Sequence, residues 1–271
     1  MTGSAPTADL TGWTCTPFTA ADRTHDVYEK GTGPGVVLIP EIPGITPQAL
    51  GLAEHLVQRG FTVVVPSPFG NPGRAESFGY IAQVFARLCV SSEFRAFATG
   101  ADRPIAHYLR AVAADLAART PGSGVGVIGM CFTGGFALAA AVDDSVLASV
   151  MSQPSVPLPL GKARSNDPGL SEAELRIVAD RAARADLSVM GLRFSEDPAC
   201  RKGRFDALKD RLGDAFEVIE LDSTPGNPGG FAKSAHSVLT REIREAPDNL
   251  AAQARERVVQ LLTTRLNKVV N

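Results

Sequence analysis

The amino-acid sequence predicts an α/β protein with a mostly parallel central sheet and helices on both faces. Short apolar runs, for example Val36–Ile39 and Val125–Ile128, alternate with longer amphipathic segments such as Ile105–Ala118. Continuous apolar runs are typical of strands that are buried on both faces of a parallel sheet, and the alternation indicates crossover connections. Because no repeat and no linker divides the chain, residues 1–271 are expected to form a single domain.

Eight segments have the composition of strands. They are, in chain order, Trp13–Phe18, His25–Glu29, Val36–Ile39, Phe61–Val65, Val125–Ile128, Val146–Met151, Leu187–Phe194 and Phe216–Leu221. The first two lie within residues 1–33, mix polar and apolar residues, and are expected to be edge strands. Of the other six, Val36–Ile39 and Phe61–Val65 are continuous apolar runs and are expected to be buried strands. The strand that begins at Phe61 is expected to end at Pro66, because proline has no N–H to donate.

Six segments have the apolar spacing of helices. They are Pro47–Arg59, Ile105–Ala118, Gly134–Val142, Ser171–Arg184, Arg201–Leu212 and Asp248–Leu266. In the first, Leu50, Ala53 and Leu56 share one face, and a glycine follows the last residue. In the fourth, Ser171 and Glu174 have the spacing of a capping box. Residues 75–100 are expected to be helix and loop, and residues 152–184 a loop and helix insert.

Composition excludes several functional classes. Hydrophobic residues make up 44% of the chain and charged residues 21%, which is ordinary for a globular protein and not for a disordered one. The net charge of −2 lacks the basic excess of a nucleic-acid-binding protein. Four cysteines are too few for a disulfide framework. The first thirty residues show no secretory signal, so the expected location is cytoplasmic and the thiols are expected to be reduced.

The residues around Cys131 have the pattern of a nucleophile elbow with cysteine as the nucleophile. An apolar strand runs into Gly129, one residue intervenes, and Cys131 is followed by small residues that begin an alanine-rich helix. Small neighbours are needed because the strand must turn sharply to expose the nucleophile. The helix N-terminus lowers the pKa of such a thiol and offers N–H groups to an oxyanion. The alternative is a buried structural cysteine, since cysteine is among the most buried residues.

The same stretch has two other interpretations, both less favoured. Gly124, Gly126 and Gly129 match the dinucleotide-binding pattern G-x-G-x-x-G, and Asp144 lies 20 positions after the first glycine. That pattern requires a strand before the first glycine, whereas here the glycines fall within the predicted strand. Residues Val125–Val142 carry no charge and are long enough to span a bilayer. A buried strand, turn and helix explain the four glycines in this stretch better.

A cysteine nucleophile needs a base, and an acid to orient that base. The histidines are His25, His55, His107 and His236. His236 follows the glycine-rich loop after the last predicted strand, and loops at the carboxyl ends of strands are where α/β sheets place their sites. Asp197 follows the strand before it, which places Cys131, Asp197 and His236 in the hydrolase order of nucleophile, acid and histidine. Glu196 is the nearest competing acid, whereas Asp186 begins that strand at the opposite edge.

Glu41 is a further candidate residue. It follows the buried strand Val36–Ile39 directly, within the sequence Pro40-Glu-Ile-Pro-Gly44. A carboxylate at that strand end is expected to lie beside the elbow. A surface acid in a loop before a helix is the alternative interpretation.

At these positions the chain resembles the dienelactone hydrolase family. Glu41-Ile42 with Gly44 resembles that family's glutamate motif, and Gly129-Met-Cys131 resembles its cysteine elbow. The resemblance extends from about Val36 to His236.

The resemblance implies an α/β-hydrolase fold and a catalytic triad of Cys131, Asp197 and His236. It implies that Glu41 holds or deprotonates the thiol when substrate arrives. It also implies an oxyanion hole formed by the backbone N–H groups of Phe132 and Ile42.

The chain departs from the family pattern in two places. The position two residues after the cysteine, usually glycine, is Thr133. Family members that cleave dienelactone hold a substrate carboxylate with arginines, one of them shortly after the histidine. The corresponding candidate, Arg241, comes one place late, and Arg87, Arg95 and Arg103 are all candidates for the upstream arginine.

The sequence therefore predicts a cysteine-dependent hydrolase of an ester or lactone that acts through a thioester. Neither a metal nor an organic cofactor is expected, because no Cys/His spacing resembles a zinc site. The expected partner is a small-molecule ester or lactone, with no nucleic acid and no membrane, and the chain is expected to be a monomer or small homo-oligomer. Two alternatives remain: an NAD-dependent oxidoreductase and a non-catalytic binding protein with the hydrolase fold. Cys15, Cys89 and Cys200 have no elbow around them and are expected to be structural.

Overall fold

A single mixed sheet of eight strands organises the protein. The computed structural model describes residues 4–267. The strands are β1 (Thr14–Ala20), β2 (Arg23–Lys30), β3 (Gly35–Ile39), β4 (Thr62–Ser67), β5 (Val125–Met130), β6 (Val146–Ser152), β7 (Ser188–Phe194) and β8 (Phe216–Leu221). Their order across the sheet is β1-β2-β4-β3-β5-β6-β7-β8. The pairs β1/β2 and β2/β4 are antiparallel and the other five are parallel, which confirms the predicted mostly parallel sheet.

Eight α-helices are described in residues 4–267. They are α1 (Pro47–Gln58), α2 (Phe78–Val90), α3 (Pro104–Arg119), α4 (Gly134–Ala140), α5 (Lys162–Asn166), α6 (Glu172–Ala183), α7 (Lys202–Leu212) and α8 (Leu250–Leu266). Side-chain caps begin four of them, and Ser171 and Glu174 form the predicted capping box at α6. The six predicted helices are present with ends shifted by up to two residues. Helix α2 lies within residues 75–100, for which helix and loop are expected from the sequence. Helix α5 was not predicted.

The helices cover both faces of the sheet, as predicted. One core layer contains the buried side chains of α1 and α8, for example Leu56 and Leu262, against strand residues such as Val36. The other contains those of α2, α3, α4, α6 and α7, for example Leu109 and Phe136. Strands β3 and β5 are buried along their whole length. This accounts for their continuous apolar sequence.

Two strand expectations need correction. Strand β4 continues through Pro66 to Ser67. Its pairing with β3 ends at Val64, so Pro66 has a strand neighbour on the β2 side alone, where a missing N–H is tolerated as at a sheet edge. In addition, β2 is paired on both sides, so that β1 is the edge strand of this pair.

Residues 152–184 form the connection between β6 and β7. These strands are parallel neighbours, and a parallel pair requires a crossover of a dozen or more residues, usually helical. Helix α6 supplies that crossover and packs against α4 and α7. The segment therefore belongs to the regular βαβ architecture, preceded by a loop and the short helix α5.

The charge-free stretch Val125–Val142 divides into β5, a 3-10 turn (Cys131–Thr133) and α4. Within residues 4–267, no helix has the length and apolarity needed to cross a bilayer.

The turn after β5 is tight and its backbone is strained. Cys131 has a φ of 53°, in the left-handed region that non-glycine residues rarely occupy. A Cβ on Gly129 would lie 2.4 Å from the carbonyl oxygen of Thr133, and one on Gly134 would lie 2.7 Å from Cα of Pro154. Both contacts are with backbone atoms and cannot be relieved by a side-chain rotation. The elbow therefore requires glycine at both positions.

We expect Gly129→Ala to lower the free energy of unfolding by about 1–3 kcal/mol, because the added methyl overlaps the elbow backbone. Gly79→Ala is the matched control. Gly79 is exposed in α2, and a Cβ there meets nothing within 4 Å. We expect that change to be neutral or to stabilise by up to about 1 kcal/mol. Urea unfolding of both variants tests this; equal stability of Gly129→Ala and wild type would contradict it.

Candidate active site

The register of β3 and β5 brings Glu41 beside Cys131. Ile39 is the parallel partner of Gly129, so two residues further along both strands Glu41 and Cys131 stand next to each other at the carboxyl edge. Side-chain ligand atoms of Glu41, Cys131 and His236 all lie within 4.8 Å of one another. The structure thus brings three of the four predicted site residues into one cluster.

The side chain of Thr133 links the ends of β3 and β5 by hydrogen bonds. Its hydroxyl accepts a hydrogen bond from the Met130 amide at 3.0 Å and lies 3.0 Å from the carbonyl oxygen of Ile39. The side chain is fully buried. The residue that departs from the family's usual glycine is therefore accommodated, and it connects the elbow to the strand that carries Glu41.

Asp197 is the acid that contacts the histidine. Its Oδ2 lies 2.6 Å from Nδ1 of His236, and its side chain is 2% exposed. A carboxylate at Nδ1 means that Nδ1–H donates, which leaves Nε2 for the thiol. The competitor Glu196 faces Lys233 at the surface, at 3.9 Å. Asp186, at the other end of β7, pairs with Arg184 instead.

The electrostatic environment of His236 favours its protonated form. Burial of the ring works against the charged form and by itself lowers the pKa of His236. The charge of the Cys131 thiolate and hydrogen bonds to Asp197 and Cys131 act in the opposite sense and outweigh burial. The pKa of His236 is therefore raised well above its ordinary value.

The remaining histidines also have carboxylate partners. His25 lies 2.9 Å from Glu93, and His107 lies 2.8 Å from Asp102. His55 lies 3.1 Å from Glu256. A histidine next to an acid is thus common in this chain, and proximity to Cys131 is what distinguishes His236.

Three polar side chains that sequence reasoning missed surround the carboxylate of Glu41. The hydroxyl of Ser237 donates to Oε2 at 2.8 Å, and the amide of Gln153 donates to the same oxygen at 3.3 Å. The hydroxyl of Thr240 donates to Oε1. Glu41 is 4% exposed, and a buried carboxylate requires such donors. Ser237 and Thr240 could have been suspected from the sequence because they closely follow His236. No sequence pattern pointed to Gln153.

Ser155 is another residue that the sequence did not indicate. Its amide donates to the carbonyl of Cys131 at 2.9 Å, and its hydroxyl lies 3.6 Å from Sγ. It therefore holds the elbow and contacts the thiol directly.

The same cluster has the ligand types that zinc takes. A cysteine sulfur, a histidine nitrogen and a carboxylate oxygen from Cys131, His236 and Glu41 are close enough to hold a metal ion, although no Cys/His spacing in the sequence indicated it.

The two predicted oxyanion donors follow the clustered residues directly. Ile42 comes after Glu41 and Phe132 after Cys131, so both amides lie at the same sheet edge, and both residues line a cavity beside Cys131. The Phe132 ring packs edge-on against Phe94 and Phe136, with centroids 5.6 and 6.0 Å away.

A cavity of about 550 Å³ opens beside Cys131. Its lining side chains are predominantly apolar. They are Ile42, Ile81, Phe85, Phe97, Cys131, Phe132, Ser155, Leu158, Pro159, Leu160, Pro198, Ala199 and Arg241. The cavity is large enough for a small-molecule ligand.

Of the four candidate arginines, Arg241 lines this cavity. Its guanidinium lies 3.4 Å from the carboxylate of Glu76. Arg103 is buried and donates to backbone carbonyls, including that of Ala98. Arg87 and Arg95 line other depressions of the surface.

The dinucleotide-like glycines have structural roles. Gly126 lies inside β5, where a Cβ would meet Leu262 of α8 at 2.3 Å, and a Cβ on Gly124 would lie 2.3 Å from the Ser145 carbonyl oxygen. Helix α3 precedes these glycines, so the strand required before the first of them is absent from residues 104–124.

Cys200 is buried, in keeping with a structural role. Cys15, by contrast, is exposed on the edge strand β1, where its side chain fills no core position.

Solved structures share this fold over nearly the whole chain. A dienelactone hydrolase-like promiscuous phosphotriesterase from metagenomic libraries is 18% identical with a TM-score of 0.64, covering 98% of this chain and 100% of that one. A dienelactone hydrolase from Anabaena variabilis is 12% identical with a TM-score of 0.58, covering 94% of this chain and 98% of that one. At these identities the likeness shows the α/β-hydrolase fold.

Sequence relatives point to one family. A carboxymethylenebutenolidase from Rhodococcus opacus is 30% identical over 132 residues, or 48% of each chain, so the match spans about half the length of that relative. The model of the dienelactone hydrolase family matches residues 25–267, a range that contains Glu41, Cys131, Asp197 and His236. The chain therefore belongs to the dienelactone hydrolase family.

Proposed function

We propose that the protein hydrolyses a carboxylic ester or lactone with Cys131 as its nucleophile. The observation that carries this proposal is the cluster of Cys131, His236 and Glu41 within 4.8 Å, with Asp197 hydrogen-bonded to the far nitrogen of the histidine. This is the arrangement of a nucleophile, a base and an orienting acid that covalent catalysis requires. Family membership supports the same reaction class.

In the acylation step, the Cys131 thiolate attacks the carbonyl carbon of the substrate. The oxyanion that forms accepts hydrogen bonds from the amides of Phe132 and Ile42. As the tetrahedral intermediate collapses, the bond from carbon to the ester oxygen breaks, and the leaving oxygen takes a proton from His236. The acyl group is then held as a thioester; with a lactone, the released hydroxyl stays attached to it.

Deacylation uses the same groups, but His236 now accepts a proton and no longer donates one. Neutral His236 takes a proton from water, which attacks the thioester carbon. The carbon–sulfur bond breaks, the acid is released, and the Cys131 thiolate is restored beside the protonated histidine. Asp197 keeps the ring oriented and stabilises its positive charge in both steps.

Glu41 is proposed to control the protonation of the thiol. Its carboxylate accepts hydrogen bonds from Ser237, Thr240 and Gln153 and lies within 4.8 Å of the Cys131 sulfur. A proton held between Glu41 and Cys131 makes the thiol less prone to oxidation than a permanent thiolate. Binding of substrate then has to move that proton to His236, which later gives it to the leaving oxygen, so that Cys131 attacks as a thiolate.

The two alternatives have less support. An NAD-dependent oxidoreductase needs a phosphate-binding turn between a strand and a helix, whereas Gly126 lies within β5. A non-catalytic binding protein does not require the contact between Asp197 and His236 beside a strained cysteine.

We expect Cys131→Ala to reduce kcat on p-nitrophenyl esters by at least about 10³-fold, because covalent catalysis is lost. Steady-state kinetics, with mass spectrometry of the protein quenched during turnover, measures the rate and the acyl adduct. Cys15→Ser is the matched control, because Cys15 is exposed on the edge strand. It should keep the wild-type rate. Unchanged turnover in Cys131→Ala would refute the proposed nucleophile.

We expect Asp197→Asn to lower the pKa of His236, since a hydrogen-bonded negative charge is removed. NMR titration of the imidazole resonances measures this directly. Because the folded-state pKa is raised, protonation of His236 stabilises the fold fully below about pH 6.5, and this contribution is lost as pH rises through the raised value. The free energy of unfolding should therefore fall less steeply with rising pH in Asp197→Asn. Identical titration curves would contradict the assigned role of Asp197.

A further inference from the structure

Three of the seven large apolar side chains that are exposed within residues 4–267 lie around one opening. Phe85, Phe97 and Leu160 are 39%, 40% and 61% exposed, and all three line the cavity beside Cys131. Phe78, which is 89% exposed, lies on the same helix as Phe85. A concentrated apolar patch at a cavity mouth is a feature of ligand-binding surfaces, whereas single exposed apolar residues are ordinary.

Helix α2 has two apolar stripes. Tyr80, Val84 and Leu88 recur at four-residue intervals and are buried in the core. Phe78, Ile81 and Phe85 recur at intervals of three and four on another face, and the latter two line the cavity. The first stripe accounts for the attachment of the helix. In the second stripe, Ile81 also packs partly against the core, whereas Phe78 and Phe85 are exposed and continue the apolar surface outward.

The other walls are held in place by hydrogen bonds to backbone carbonyls, from one backbone amide and two buried arginine side chains. The amide of Leu158 donates to the carbonyl of Ala96 at 2.9 Å, which links the loop after β6 to the loop after α2. The buried Arg103 donates to the carbonyl of Ala98 at 2.7 Å. The buried Arg204 donates to the carbonyls of Pro154 at 2.5 Å and Pro157 at 2.6 Å. The apolar walls are thus preorganised and do not depend on the ligand to form.

The cavity lining carries little charge, and its charged side chain is already paired with a carboxylate. Among the described residues that line it, Arg241 is the one with a charged side chain. Its guanidinium is paired with Glu76 at 3.4 Å. Glu41 and Asp197, both buried, lie near the reacting thiol. A substrate carboxylate placed in this cavity would lose water and gain one cation that is shared with Glu76.

We propose that the preferred substrates are uncharged esters or lactones that carry a bulky apolar group, either a medium-length alkyl chain or an aromatic ring. The carbonyl is presented to Cys131, and the apolar group fills the cavity between Phe97, Leu158 and Ile81 and emerges along Phe85. This inference rests on the proposed function and specifies its substrate class. The hydrophobic contribution of the cavity then sets the specificity, and a carboxylate on the acyl chain is disfavoured.

The test is a series of p-nitrophenyl esters from acetate to octanoate, used below their aggregation concentrations. Each buried methylene should raise kcat/KM about two- to fourfold, so that octanoate exceeds acetate by at least about 30-fold. p-Nitrophenyl hexanoate and the mono-p-nitrophenyl ester of adipic acid form a matched pair, which differs in a terminal methyl against a carboxylate. Hexanoate should be favoured by at least about tenfold.

Variants of the walls separate specificity from stability. Phe97→Ala and Leu160→Ala should each lower kcat/KM for octanoate about tenfold and change that for acetate less than about twofold. Ile177→Ala is the control, since Ile177 is 43% exposed on α6 and does not line the cavity. It should leave both values unchanged.

The outcomes distinguish the two proposals. Cys131-dependent turnover that is flat or falling with chain length, or that favours the adipate ester, would overturn the substrate class and leave the proposed hydrolase function standing. Equal losses on acetate and octanoate in both wall variants would also overturn it. Turnover that persists in Cys131→Ala would instead overturn the proposed nucleophile.

Discussion

The geometry of the site depends on the three-residue turn between β5 and α4. The chain leaves a fully buried strand at Met130 and begins a buried helix at Gly134, so Cys131 is forced into a left-handed conformation with a φ of 53°. Such a conformation costs about 1–3 kcal/mol and persists only when the surroundings determine it. Here the surroundings are the close backbone contacts at Gly129 and Gly134 and the buried hydroxyl of Thr133. The strain is what exposes Sγ at the sheet edge.

Two polar systems meet at the thiol and are built differently. On one side, Asp197 and His236 form a short, partly buried pair whose electrostatics favour the protonated form of the imidazole. On the other side, Glu41 is enclosed by neutral donors, including Ser237 and Gln153. Cys131 therefore lies close both to an imidazole that favours its protonated form and to a buried carboxylate.

Two buried arginines, Arg103 and Arg204, donate hydrogen bonds to backbone carbonyls of the irregular segments around the cavity. Arg204 donates to the carbonyls of Pro154, Pro157 and Asp167, which lie outside helices and strands, and to that of Arg164 in α5. Arg103 donates in the same way to the carbonyls of Ala98, Ala101 and Gly169. Burial lowers the pKa of Arg103 to about 10, so it remains protonated at neutral pH. These contacts explain how long irregular loops form stable walls for an apolar cavity.

The sequence by itself determined the sheet, most of its helices, and the positions of Glu41, Cys131, Asp197 and His236, because apolar runs and the glycines around the elbow are local patterns that mark strand ends. The tertiary structure decided which acid contacts which histidine, since all four histidines have an acidic neighbour and only distances across the fold distinguish them. It also decided the surroundings of Glu41, whose partner Ser237 is 196 positions away. The cavity walls come from several separate stretches of the chain, and their convergence depends on strand register and buried arginines, which local sequence does not encode.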